Sequence, residues 1–346
     1  MRFLGVLVLM LAHAEPPGWL FQLRNFGTPL LIVASAATYA VIYRDKTLHA
    51  MQFLKKRLGR LIFPAWYFLT FFFAFFFAAF ALLDQPYPLN QPYPFDLHHI
   101  ISSYLFSGGI GYVWIFKVYI MLALFTPLAL KIKAKIHSNA RYFSLLAVAY
   151  CLYELALALS TPIIPPSLSG FINRGVFVVV AYALLYLYGM KISELSNRQL
   201  VGVSAVSMAL FMVIALYLGH GHGGFVHTQM YKYPPQLYYL AYAMCALNLI
   251  YLVCRNYLGK FHYGWVEWLS ANSLWIYLWH IFAFYLWKFF LPPVAGYLPL
   301  VATKMAFLLG FSAAATFAQQ HLAERMKQLR PSTWTQIKQR YSGGIG

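Results

Sequence analysis

Apolar runs long enough to cross a membrane, or nearly so, recur along this chain, separated by short stretches rich in proline, glycine and charge. A bilayer core of about 30 Å is spanned by roughly 20 apolar residues in an α-helix. Helices are favoured there because a helix satisfies its own backbone hydrogen bonds. The pattern therefore predicts an all-α, polytopic membrane helix bundle with about ten transmembrane helices. The predicted spans are residues 2–15, 27–43, 61–83, 112–131, 142–160, 174–190, 200–219, 236–255, 268–291 and 298–320.

The composition supports a membrane domain and argues against a soluble one. Of the 346 residues, 61% are hydrophobic and only 10% are charged. Soluble domains usually carry about 25% charged residues, so this chain lacks the polar surface to face water. We expect a membrane domain over residues 1–322 and a short basic cytoplasmic tail over residues 323–346.

The net charge of +18 would indicate a nucleic-acid partner in a soluble protein, but here its placement matters more. Lysine and arginine collect in the cytoplasmic loops of membrane proteins. Most of the 26 lysines and arginines fall on one side of the predicted topology when the N-terminus is placed in the cytoplasm. The sequence therefore predicts that both termini are cytoplasmic, with membrane lipids and no nucleic acid as partners.

The first apolar segment, RFLGVLVLMLAH, has two incompatible interpretations. A basic residue, an apolar run and small residues are typical of a cleaved signal peptide. In a retained helix, Arg2 and His13 would share one face about 16 Å apart. An ionisable residue inside a membrane helix indicates function, and a histidine there suits a general base, which Glu15 would orient or balance in charge. The remaining alternative is a packed or interfacial histidine.

A basic stretch, KKRLGR, comes just before the third predicted span. Arg57 and Arg60 are three positions apart and so share a helix face, with Lys56 beside them. Two guanidinium groups at a membrane edge make a good phosphate site. The alternative is ordinary anchoring by cytoplasmic positive charge.

Two further residues are candidates for substrate binding. Lys232, in YKYPP, would contact a substrate, or it would belong to a turn that begins a helix. His280, at the end of SLWIYLWH, would bind substrate, or it would be a hydrogen-bonded structural histidine. Three histidines in GHGHGGFVH have flexible glycines and no acidic partner, so no metal site is expected.

Two patterns in the chain resemble motifs of the acyltransferase-3 family of integral membrane acyltransferases. They are Arg2 and His13 with ten residues between them, and Arg-x-x-Arg at Arg57 and Arg60. The resemblance covers most of the chain. It implies that His13 is the catalytic base and that the paired arginines contact acyl-CoA, with Arg2 in a supporting role. The Ser-Gly of the family's second helix reads Ser35-Ala36 here, so close backbone approach is less expected while Ser35 stays a candidate for substrate binding. Supporting stretches are NFGTPLLIVAS, GYVWIFKVYIMLALFTPLAL, LLYLYGM, YKYPPQLYYLAY and SLWIYLWH.

The resemblance implies an O-acyltransferase of the bacterial inner membrane. It would move an acyl group, acetyl first among them, from acyl-CoA to a hydroxyl of an extracytoplasmic glycan such as exopolysaccharide or lipopolysaccharide. Acetyl-CoA is then a donor substrate, no cofactor is bound permanently, and the oligomeric state is left open. The alternative from another class is a transporter or lipid-linked-sugar flippase whose arginine and histidine line a translocation path.

Overall fold

The structure, a computed structural model, describes residues 1–82, 94–160, 162–257, 263–291, 293–294 and 296–329. These residues form α-helices joined by short 3₁₀, π and irregular segments, and none of them lies in a β-strand. The predicted all-α class is confirmed. The helices in chain order are α1 (Arg2–His13), α2 (Gly18–Leu23), α3 (Gly27–Ile42), α4 (Ala50–Leu82), α5 (Leu97–Tyr104), α6 (Trp114–Lys135), α7 (Asn139–Ser160), α8 (Pro166–Phe171), α9 (Val178–Lys191), α10 (Asn197–His222), α11 (Leu237–Asn256), α12 (Gly264–Ala271), α13 (Ser273–Phe290) and α14 (Leu298–Leu329).

Eight helical segments in the described part of the chain are long and apolar enough to cross a membrane. Two predicted spans are not among them. The segment at 2–15 is the 12-residue helix α1, and the segment at 268–291 is divided at Asn272 into α12 and α13. The chain is therefore a multi-pass membrane protein, while the sides on which its termini lie stay a prediction. The eight segments are Gly18–Ile42, Ala50–Leu82, Gly111–Lys135, Asn139–Ser160, Pro166–Glu194, Asn197–His222, Leu237–Asn256 and Leu298–Met326.

Helix boundaries differ most from prediction at α4, which begins at Ala50 rather than at residue 61. Hydropathy marks only the apolar part of a helix, whereas lysine, arginine, leucine and glutamine extend a helix readily. The basic stretch is therefore helical throughout. At the other end of the chain, α14 continues to Leu329, and residues 330–346 of the predicted tail lie outside the described residues.

Helix α1 lies inside the bundle, where it packs against α3, α12, α13 and α14. Its Met10 is fully buried. Helix α3 packs in turn against α9 and α11, so the short first helix is enclosed by other helices. By contrast, α7 and α10 leave most of their apolar side chains exposed, as expected of helices that face lipid.

The close approach of α3 to α9 depends on Gly189 of α9 and not on a glycine in α3. A Cβ at Gly189 would lie 2.8 Å from the Ala36 Cβ and 2.9 Å from the Val33 Cα. Both distances are shorter than side chains tolerate, and one of them is to backbone. Thus Ala36, which stands where the family has glycine, is compatible with tight packing because the opposing helix supplies the small residue.

Gly189→Ala is expected to destabilise the protein by about 1–3 kcal/mol, because the added methyl overpacks the interface of α3 and α9. Thermal unfolding in detergent measures this change. The matched control is Gly202→Ala in α10, where a Cβ would meet nothing within 4 Å and helix propensity alone favours alanine. Equal melting temperatures for the two variants would contradict the packing argument.

Candidate active site

Two cavities lie against α1, one toward each of its ends. Arg2 stands at the first end and His13 at the last, about 16 Å apart along the axis by helix geometry. The first cavity includes Arg2 in its lining and the second includes His13. Arg2 and His13, which were predicted to share one face of α1, thus line two separate cavities.

The arginine cavity, named for Arg2, Arg57 and Arg60, has a volume of about 490 Å³. Ser35 of α3 also lines it, so Ser35 lies with the arginines and not with His13. Lys56 is exposed and is not among its lining residues. Three guanidinium groups from α1 and α4 therefore converge on one space, as a site for phosphate groups requires.

The histidine cavity, named for His13, has a volume of about 340 Å³. Lys232 lines it together with Arg24, a residue that the sequence prediction did not single out. Both cations are largely buried, with 4% of Arg24 and 5% of Lys232 exposed. Uncharged polar side chains, among them Thr28 and Gln229, also line this cavity.

The two cavities have two lining residues in common, Ile115 of α6 and Tyr277 of α13. The Tyr277 hydroxyl donates a hydrogen bond of 2.7 Å to the Tyr112 carbonyl, which fixes the ring. Both side chains border both cavities, and together they are called the shared wall. The arginine cavity and the histidine cavity therefore approach each other at the shared wall.

His13 is paired with His280, whose Nε2 lies 2.9 Å from the His13 Nδ1. His280 is completely buried, and its Nδ1 is bonded to the Tyr277 carbonyl. A carbonyl only accepts, so the His280 Nδ1 carries the proton and, in the neutral ring, its Nε2 accepts. His13 must then donate from Nδ1, which leaves the His13 Nε2 with a free lone pair. His280 lines neither cavity, and the structure places it against His13.

Glu15 is bonded to a lysine and not to His13. Its Oε1 accepts from the Lys304 Nζ at 2.8 Å, and the Lys304 side chain is only 1% exposed. Glu15 has a φ of 56°, a left-handed backbone conformation that is costly for a residue with a side chain. The ion pair with α14 holds this strained turn, which directly follows His13. The sequence predicted that Glu15 orients His13 or balances its charge, whereas in the structure Glu15 balances the charge of Lys304.

Three site residues were missed by sequence reasoning, and two of them had a signal. Arg24 and Lys304 are lone charges inside apolar segments, the pattern that indicates function in a membrane helix. Tyr112, whose ring centroid lies 4.2 Å from that of His13, had none, because aromatic residues make up 19% of the chain.

The site of this all-α, multi-pass membrane bundle thus has two polar cavities that share Ile115 and Tyr277, one lined by a guanidinium cluster and the other by the half-buried His13. The profile of the acyltransferase-3 family, described as an acyltransferase domain, matches residues 1–318. The chain belongs to this family, which makes it a membrane acyltransferase. No curated protein and no solved structure matches the chain.

Proposed function

We propose that this protein is an O-acyltransferase of the bacterial inner membrane that moves an acyl group, acetyl first among them, from acyl-CoA to a hydroxyl of an extracytoplasmic glycan. The observation that carries this proposal is the wall of Ile115 and Tyr277 shared by the arginine and histidine cavities. It allows a donor on one side to react with an acceptor on the other.

The arginine cavity suits the donor. CoA is a polyanion, and guanidinium groups bind phosphates through paired, charge-assisted hydrogen bonds. With the phosphates held at Arg57 and Arg60, the extended pantetheine arm would point along α1 toward Tyr277. The arm is of a length comparable to the distance of about 16 Å between Arg2 and His13 along the helix.

The histidine cavity suits the acceptor and the chemistry. The free Nε2 of His13 takes the proton of the glycan hydroxyl as its oxygen attacks the thioester carbonyl carbon. The new C–O bond forms, the C–S bond breaks, and the proton passes from His13 to the departing CoA sulfur. The hydrogen bond from His13 to His280 holds the ring in the tautomer that this step needs.

Donor binding by the detergent-purified protein tests this proposal without knowledge of the acceptor. Acetyl-CoA is expected to raise the melting temperature, because a ligand stabilises the state that it binds. ATP is the control for non-specific phosphate binding. Base-labile acetate in the polysaccharide of producing cells, compared with cells lacking the protein, then tests transfer. A protein without preference for acetyl-CoA over ATP would favour a transporter or flippase instead.

His280→Phe is expected to slow acyl transfer by roughly tenfold or more while leaving acetyl-CoA binding unchanged. Phenylalanine fills the space but accepts no hydrogen bond, so the His13 ring loses the partner that fixes its Nδ1 proton. The measurements are the rate of acetate incorporation and the melting temperature with acetyl-CoA.

The companion variant His280→Gln keeps an acceptor oxygen and should retain most of the rate. The ¹⁵N spectrum of ring-labelled histidine reports the tautomer directly, and the Nδ1–H form of His13 should be lost only in His280→Phe. Equal rates for the two variants would show that this hydrogen bond does not matter.

A further inference from the structure

The histidine cavity contains two buried cations, Arg24 and Lys232, that have no anionic partner among the described residues. Within the described residues the ion pairs are Lys133 with Glu194, Lys191 with Glu194, and Lys304 with Glu15. Lys191 and Lys304, which are buried as deeply as Lys232, thus each face a carboxylate. In the part of the chain that the structure describes, Lys232 and Arg24 face no carboxylate, although an unpaired buried charge is among the most expensive groups in a protein.

The contacts that the two cations do make are to aromatic rings. The Arg24 Cζ lies 3.6 Å from the centroid of the Phe21 ring, and the Lys232 Nζ lies 5.3 Å from that of Tyr233. Ring faces attract cations but carry no net negative charge. Burial and repulsion from Arg24 accordingly lower the pKa of Lys232 to about 7. The rings therefore do not compensate the two cations, and an anion bound beside Lys232 would raise its pKa again and favour its charged form.

Polar atoms beside these cations also lack partners. The Arg24 Nε, the Thr28 Oγ1 and the Gln229 Oε1 are buried without a hydrogen bond. All three residues line the histidine cavity. Each unsatisfied buried group costs on the order of 1–3 kcal/mol, and several around one space indicate that a polar ligand satisfies them.

We propose that the acceptor is anionic, and that its carboxylate or phosphate group binds between Arg24 and Lys232 in the histidine cavity. That the bound molecule is the acyl acceptor rests on the proposed function, whereas the anion site itself is inferred from the residues that line the cavity. The Thr28 hydroxyl and the Gln229 amide then bond to neighbouring oxygens of the same sugar. The anionic group thereby positions a hydroxyl of that sugar at His13, which lines the same cavity.

Three sugars of the same skeleton test the proposal on the detergent-purified full chain: glucose, glucuronate and glucose 6-phosphate. At constant pH and ionic strength, the charged sugars are expected to raise the melting temperature and glucose is not. Stabilisation by both charged sugars, or by one of them, supports the site and tells a carboxylate from a phosphate. Equal stabilisation by glucose, or none by either charged sugar, would overturn it.

Two variants test whether the charged sugar binds in the histidine cavity. Lys232→Met should weaken the charged sugar roughly 30-fold, because one member of a buried charge pair is removed. Lys133→Met is the matched control, since Lys133 lies at the far end of α6, outside this cavity, and its partner Glu194 keeps Lys191. Equal weakening by the two variants would overturn the assignment. If Lys232→Met fails to fold, the comparison of the three sugars on the unaltered protein still decides.

Acetyl-CoA separates this inference from the proposed function. Lys232→Met should leave stabilisation by acetyl-CoA intact, and its loss would show that these cations hold the donor, which contradicts the inference. Stabilisation by glucuronate without any response to acetyl-CoA would retain the anion site and reject the acyltransferase mechanism for this site.

Discussion

Replacing Arg57 and Arg60 together with alanine is expected to weaken acetyl-CoA binding by about 100-fold. Both side chains line the arginine cavity, and a hydrogen bond to a charged group contributes about 1.5–3 kcal/mol. Two such contacts at the lower limit give roughly 3 kcal/mol, and 1.4 kcal/mol corresponds to a factor of ten. The measurement is the shift in melting temperature across a titration with acetyl-CoA.

The matched control removes the same charge from the same region without touching the cavity. Arg44 and Lys46 are exposed, precede α4 and do not line the arginine cavity. Arg44→Ala with Lys46→Ala should therefore bind acetyl-CoA as the unaltered protein does. If this control weakens binding as much, the donor responds to overall positive charge and the arginine cavity is not its site.

His13→Asn is expected to abolish transfer while leaving donor binding intact. The asparagine amide nitrogen stands where the His13 Nδ1 is and still donates to His280, but nothing replaces Nε2. Loss of a general base lowers rates by roughly 10² to 10⁴. The measurement is base-labile acetate in polysaccharide, alongside the melting temperature with acetyl-CoA.

Retained transfer in His13→Asn would contradict the proposed role and move the base to another group. Loss of both transfer and donor binding would instead indicate that α1 no longer packs. The far-ultraviolet circular dichroism spectrum and the melting temperature without ligand distinguish these two causes.

The fold class was predictable because the thickness of the bilayer core sets the length of the apolar segments that cross it. The sequence also predicted that Arg57 and Arg60 share a helix face, and the structure adds Arg2 and Ser35 to the same cavity. Residue spacing alone predicts which side chains lie together within one helix, because residues three or four positions apart are neighbours on its surface.

Contacts between distant segments were not predictable in the same way. His13 and His280 are 267 positions apart, and the sequence assigned them to separate roles. Glu15 was predicted to act on His13, two positions away, yet a strained backbone turns it toward Lys304 of the last helix. Only the packing of α1 against α13 and α14 decides which of these pairs form.

In the orientation proposed here, the arginine cavity and the histidine cavity open toward the water of two different compartments. A full bilayer core is about 30 Å thick, whereas the two polar spaces approach each other at Ile115 and Tyr277, which border both. A bacterial membrane stores energy as an ion gradient, so a continuous water path at this point would drain it. On the proposed mechanism, the residues between the cavities must let an acyl group pass while they keep protons and salt from leaking, and Ile115 and Tyr277 stand where this seal is needed.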